Sequence, residues 1–197
     1  MKKILLFLVL IVSLANFAQK KKTSKASKTP AIVTLTKADN LSMDLNTTDL
    51  VISIDNKTAT KDTIRLAQYT TKTVPTECKI QSFTAKGTAL YLVSWVENSK
   101  IVTKLSTEDV LVTNSVIINL ANKTKVLKNK HLISDVAMIQ YLDAKQTVSE
   151  TVRKKHTEGF AFVLLPDGDI LKKSKTKESR YMYSAADNAF VDFKKKK

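Results

Sequence analysis

The sequence predicts a mainly β, antiparallel fold: a curved sheet, sandwich or incomplete barrel, with one short helix at about residues 147–158. Three observations lead there. Apolar and β-branched residues fall in short runs separated by polar turns, the pattern of half-buried strands. Two tetrapeptides, Glu97-Asn98-Ser99-Lys100 and Pro166-Asp167-Gly168-Asp169, have hairpin-turn chemistry. Only one stretch carries the signature of a helix start.

The strand runs, in order, are 31–36, 50–55, 63–69, 78–85, 88–96, 101–106, 115–120, 125–128, 136–142, 160–165, 170–173, 180–184 and 189–193. In the turn at 166–169, proline presets φ at the first turn position and Gly168 supplies a positive φ. The helix expectation rests on Thr147-Val148-Ser149-Glu150, which reads as a capping box. Val148, Val152 and His156 recur at four-residue spacing behind it. Arg153, Lys154 and Lys155 would complement the dipole near the end, and Gly159 would terminate the helix. Two segments, 51–58 and 116–124, both run from β-branched residues into Asn-Lys-Thr, a likeness that turn chemistry alone explains.

The ends differ from the interior. Met1-Lys2-Lys3, an apolar run over 4–14 and Ala15-Asn16-Phe17-Ala18 form the three regions of a cleavable secretory signal. The run is shorter than the roughly 20 residues a spanning helix needs. The expected organisation is a signal peptide at 1–18, a basic flexible linker at 19–30, one mostly β domain at 31–193 and a lysine tail at 194–197. No cysteine lies near the cleavage site, which excludes a lipid-modified N-terminal cysteine. An exported protein with no transmembrane segment after cleavage follows, located in the periplasm, at the outer surface or outside the cell.

Loss of Lys2 and Lys3 with the leader leaves 31 basic residues against 18 acidic ones, a net charge of +13. Only Arg65, Arg153 and Arg180 are arginines. Bidentate readers of phosphates and base edges use the guanidinium fork. So lysine-rich charge and export together argue against sequence-specific nucleic-acid binding. The partners expected are anionic envelope surfaces or acidic glycans. The contact residues would be Lys20, Lys21, Lys22, Lys25, Lys28, Lys194, Lys195, Lys196 and Lys197, all outside the patterned region.

Catalytic patterns are missing. Cys78 is the sole cysteine, so no internal disulfide forms, and its place in Glu77-Cys78-Lys79-Ile80 reads as a buried, inert thiol. His131 and His156 are the only histidines. The first reads as a turn residue and the second as the polar end of the helix face. Without a His-x-x-x-His pair or further thiols, no zinc ligand set exists. Gly87, Gly159 and Gly168 are the only glycines, too few for a phosphate-cradling loop or a nucleophile elbow. Asp167-Gly168-Asp169 lacks the other oxygen ligands of a calcium loop and reads as a turn. No cofactor and no metal is expected.

The aromatic residues supply the one candidate ligand site. Tyr91, Val93 and Trp95 share a face of the run at 88–96, with Leu90, Leu92, Ser94 and Val96 opposite. Such a strand is buried on both sides, or turns one side to a cavity. Tyr181 and Tyr183 likewise share a face, expected across from Val191 and Phe193. The functional expectation is therefore an exported, non-enzymatic β-rich module that binds at the cell envelope or has a structural role there. The alternative is a small-ligand carrier with a β cavity near Tyr91 and Trp95, followed by a small hydrolase built on an unplaced carboxylate pair.

Overall fold

The structure, a computed structural model, describes residues 32–56, 61–69 and 74–193. The expected leader, linker and lysine tail lie outside the described residues. Within them the chain forms thirteen strands and no helix, arranged as three antiparallel meanders, none closed into a barrel.

The N-terminal sheet contains β1 (Val33–Ala38), β2 (Leu41–Leu45), β3 (Asp49–Ile54) and β4 (Asp62–Gln68) in that order. The central sheet contains β5 (Thr76–Ala85), β6 (Thr88–Val102), β7 (Ser106–Asn119), β8 (Thr124–Tyr141) and β9 (Ser149–Gly159). The C-terminal sheet contains β10 (Ala161–Leu164), β11 (Ile170–Lys173), β12 (Glu178–Ser184) and β13 (Ala189–Asp192). Within each sheet every connection joins strands that are neighbours in both sequence and space, as expected of short turns between antiparallel partners, and only β4 to β5 and β9 to β10 pass between sheets.

Period-two alternation positions the core. On β6, Val93 and Trp95 point to one face of the central sheet, and cross-strand Val116 and Ile118 of β7 point the same way. Leu41, Met43, Leu50, Ile52, Ile64 and Leu66 of the N-terminal sheet pack against them. Leu90 and Ile117 point to the other face and meet Ile170 and Tyr183 of the C-terminal sheet. The central sheet is thus covered on both faces at one end, and each buried Leu or Ile side chain there contributes roughly 1.5–3 kcal/mol. The two flanking sheets stop near Trp95. Beyond that row β6, β7, β8 and β9 run on together, and no residue there belongs to either core cluster.

The C-terminal sheet is pinned to the central one by close approach and by polar bonds. Gly168 has φ +83°, and a Cβ there would lie 2.3 Å from the Thr84 carbonyl oxygen. The expected turn at 166–169 is present, with Gly168 N–H donating to the Leu165 carbonyl. At the same end of the strands, Asn119 of β7 donates to Asn188 Oδ1 at 2.9 Å and to the Tyr183 hydroxyl at 3.3 Å.

Several expectations need correction. Residues 147–158 are not a helix: Ser149 onward is β9, with Glu150 opposite Gln140 and Gly159 opposite His131. Asp143 holds the preceding turn instead, accepting from the amides of Thr147 at 2.8 Å and Val148 at 3.0 Å. A lone sheet edge on the 18-residue β8 offers a full ladder of hydrogen bonds, and tertiary pairing overrides a weak local preference. The tetrapeptide at 97–100 is no turn but the continuation of β6, paired with 109–112 of β7. The turn comes later, where Thr103 Oγ1 accepts from the amides of Leu105 and Ser106. His131 lies within β8, opposite Thr113, and His156 lies on β9. Tyr183 pairs with Phe190, ring centroids 5.4 Å apart, whereas Val191 sits on the opposite face opposite Met182.

Candidate functional site

Tyr91, Val93 and Trp95 do share one face, and the N-terminal sheet covers it. Val93 and Trp95 are 0% and 2% exposed, and Tyr91 packs half-buried at the edge of the same cluster. The indole Nε1 donates to Glu97 Oε1 at 2.7 Å, and Asn114 Nδ2 donates to the same oxygen at 3.0 Å. Glu97 therefore closes the core at its last row, where the covered part of β6 gives way to the exposed part. The nine candidate polyanion-contact lysines lie outside the described residues.

The groups that could carry chemistry are dispersed or engaged. Alternation along β8 and β9 places His131 and His156 on opposite faces of the central sheet. Among the described residues no group of three His, Cys, Asp or Glu is placed to hold a metal ion. Asp167 and Asp169 both bind the Arg180 guanidinium. Asp169, 2% exposed, accepts from Arg180 Nε at 2.8 Å and from the terminal nitrogen at 2.7 Å. The same guanidinium stands 5.8 Å over the Phe193 ring. Such a carboxylate–arginine clamp fixes a turn and leaves neither acid free for proton transfer. Cys78 is half-buried, and burial pushes its thiol up from the ordinary value, away from the thiolate that reacts.

Sequence reasoning missed an extended exposed feature of the described residues. Residues 97–114 and 130–159 form a single-layer, four-stranded projection of the central sheet. Val102 is 68% exposed, and Ile101, Leu111, Ile133, Ile139 and Tyr141 also face solvent. A sheet with one wet face normally puts polar residues there; here apolar side chains lie on both faces. No period-two alternation marks it: 106–109 is all polar before Val110-Leu111-Val112, and 130–141 carries the like neighbours Leu132-Ile133 and Ser134-Asp135, so the strands read as separate short runs. The projection carries seven Lys and Arg against seven Asp and Glu, so it is electroneutral within a basic chain. Comparison with known protein families, with characterised proteins and with solved structures finds no match.

Proposed function

We propose that this protein is an exported, non-enzymatic module that binds anionic surfaces of the cell envelope. The carrying observation is the distribution of charge. Nine of the thirteen net positive charges of the mature chain lie on residues 19–30 and 194–197, which contain no acid. The folded interval 31–193 instead mixes 22 Lys and Arg with 18 Asp and Glu, and some of its cations pair with neighbours: Arg65 with Asp49, Lys123 with Asp62, Lys173 with Glu178 and Arg180 with Asp167 and Asp169. A lysine cluster near an anionic membrane contributes about 1 kcal/mol per residue, weakened by salt. The dispersed histidines and clamped acids support the non-enzymatic part of this reading.

Vesicle co-sedimentation of the mature chain tests it. The expected result is binding to vesicles rich in anionic lipid, release as salt rises, and no binding to zwitterionic vesicles. Deleting 19–30 and 194–197 should remove most of the binding and leave the melting midpoint nearly unchanged. Equal binding by the truncated chain overturns the reading.

A further inference from the structure

A register shift gathers the lysines of β8 on one face of the central sheet. No Asp or Glu occurs from residue 110 to residue 134, and all the cations of that stretch, Lys123, Lys125, Lys128 and Lys130, fall within 123–130. Strict period two would set Lys125 and Lys128 on opposite faces of a strand. The ladder shifts between Ile117 and Ile118, so Lys125 stands opposite Ile118, Lys128 opposite Val116 and Lys130 opposite Asn114. Those three β7 positions are two apart, so the three lysines share a face. It is the face of Val93 and Trp95, on which the N-terminal sheet packs. Lys125, Lys128 and Lys130 are all exposed.

The edge of β4 stands beside this row. Lys123 Nζ reaches Asp62 Oδ2 at 2.8 Å, and Lys125 Nζ donates to the Arg65 carbonyl oxygen at 2.8 Å. Stacked sheets lie about 10 Å apart, so the row lies at the foot of a step of that height. Nearby acids are engaged: Asp49 by Arg65, Asp62 by Lys123, and Glu97 by Trp95 and Asn114. Glu158, opposite Leu132, shares the face past the end of the row. Among the described residues Lys125, Lys128 and Lys130 form no ion pair. Burial, then repulsion from Lys128 and Arg65, hold the Lys125 ammonium below its ordinary value, as expected of like charges gathered without an acid between them.

Shape decides which anion fits. At the usual rise the row is on the order of 13 Å long, too long for one phosphate to meet all three lysines. The N-terminal sheet holds a flat lipid surface off the foot of the step. An acidic peptide would add to β4 as a strand, but Lys125 occupies the Arg65 carbonyl there, as charged side chains do at blunted edges. A thin polymer with acidic groups repeating along it satisfies all three limits and needs no backbone ladder. Lysine meets such groups as a point charge, with no demand for the fork geometry that arginine prefers.

We propose that an acidic polysaccharide binds along β8 at the foot of this step, across Lys125, Lys128 and Lys130. The inference rests on the reading of the chain as a binder of anionic envelope material, and adds a site in the folded strands to the lysines at the ends. Calorimetric titration of the chain from residue 19 onward with polygalacturonate at low salt tests it, with circular dichroism confirming the fold of each variant. Lys128→Glu/Lys130→Glu should weaken binding about tenfold or more beyond the effect of Lys175→Glu/Lys177→Glu. The second pair changes net charge equally, but lies between β11 and β12 of the sheet that packs on the other face. Should the acidic row fail to fold, Lys128→Gln/Lys130→Gln against Lys175→Gln/Lys177→Gln reads the same difference. Binding to anionic vesicles should not separate the two pairs. Equal weakening of polygalacturonate binding by both pairs overturns the inference, as does a wild-type chain that does not bind that polymer. Selective loss of vesicle binding in the row variant also overturns it, because the row would then meet lipid. The vesicle reading of the ends stands or falls separately, on the truncated chain.

Discussion

Asn119, the last residue of β7, donates 2.9 Å to Asn188 Oδ1 of the turn between β12 and β13, joining parts of the chain 69 residues apart. The Tyr183 hydroxyl donates to the same Asn188 oxygen at 2.8 Å, and Asn188 Nδ2 reaches Thr124 Oγ1 at 2.9 Å. Four polar side chains thus close the seam between the central and C-terminal sheets. Tyr183→Phe removes one donor and should cost about 1 kcal/mol. Asn119→Ala leaves Asn188 and Tyr183 short of a partner and should cost about 1–3 kcal/mol. Urea unfolding checks both; an unchanged midpoint for Asn119→Ala would mean that the seam is not closed as described.

Gly168 and Gly87 make a controlled pair. Both have positive φ, +83° and +81°, but a Cβ at Gly87 meets nothing within 4 Å, whereas one at Gly168 runs into the Thr84 carbonyl. Gly87→Ala should cost about 1 kcal/mol, from backbone strain alone. Gly168→Ala adds a backbone collision and should cost well over 2 kcal/mol, with local loss of the docked C-terminal sheet. Equal melting shifts would show that the turn at 165–169 does not rest on β5.

Trp95 is the only tryptophan, so intrinsic fluorescence reads the core directly. Its 2% exposure and bond to Glu97 predict blue-shifted emission, slow acrylamide quenching and a red shift on unfolding. Trp95→Ala should cost about 3–5 kcal/mol. Emission typical of solvated indole in the folded protein would open the cavity reading that the packing disfavours.

Stability should fall in acid through Asp44. Burial pushes its carboxyl up, but bonds from Ser53, Thr34 and Ser42 together outweigh burial and hold it below its ordinary value of 3.8. Thr34 Oγ1 donates at 2.7 Å and Ser42 Oγ at 2.9 Å. A folded carboxylate with a depressed value contributes stability that is complete above the unfolded value. That contribution is lost as pH falls through the folded one. Unfolding free energy should therefore hold above pH 3.8 and decline below it, less steeply in Asp44→Asn. An identical acid slope in the variant would remove Asp44 from the cause.

Much of this fold is legible in the sequence, and the failures are instructive. The run at 170–173 matches β11, and those at 50–55, 63–69 and 78–85 fall within two residues of β3, β4 and β5. β2 was not expected, because Ser42 and Asp44 interrupt Leu41, Met43 and Leu45, although those three keep period two. The helix reading failed because four is an even number: Val152 and His156 share a face of a strand as well as of a helix. β-Branched Thr151, Val152 and Thr157 suit the pleated partner that β8 required. The pairing of Tyr91, Val93 and Trp95 on one face was visible. What covers that face was not, since no local pattern reports which distant strand packs there. The projecting sheet was hidden because its exposed polar positions imitate turns.

Both cores sit at one end of the central sheet while its other half stands in a single layer. Native-state hydrogen exchange of the chain from residue 19 onward measures this strand by strand. Amides of 90–96 and 115–119 should exchange only through global unfolding. Those of 98–102, 106–112 and 149–158 should open at clearly lower free energy, because few buried apolar contacts hold them. Uniform protection along the full lengths of β6, β7 and β8 would contradict the account.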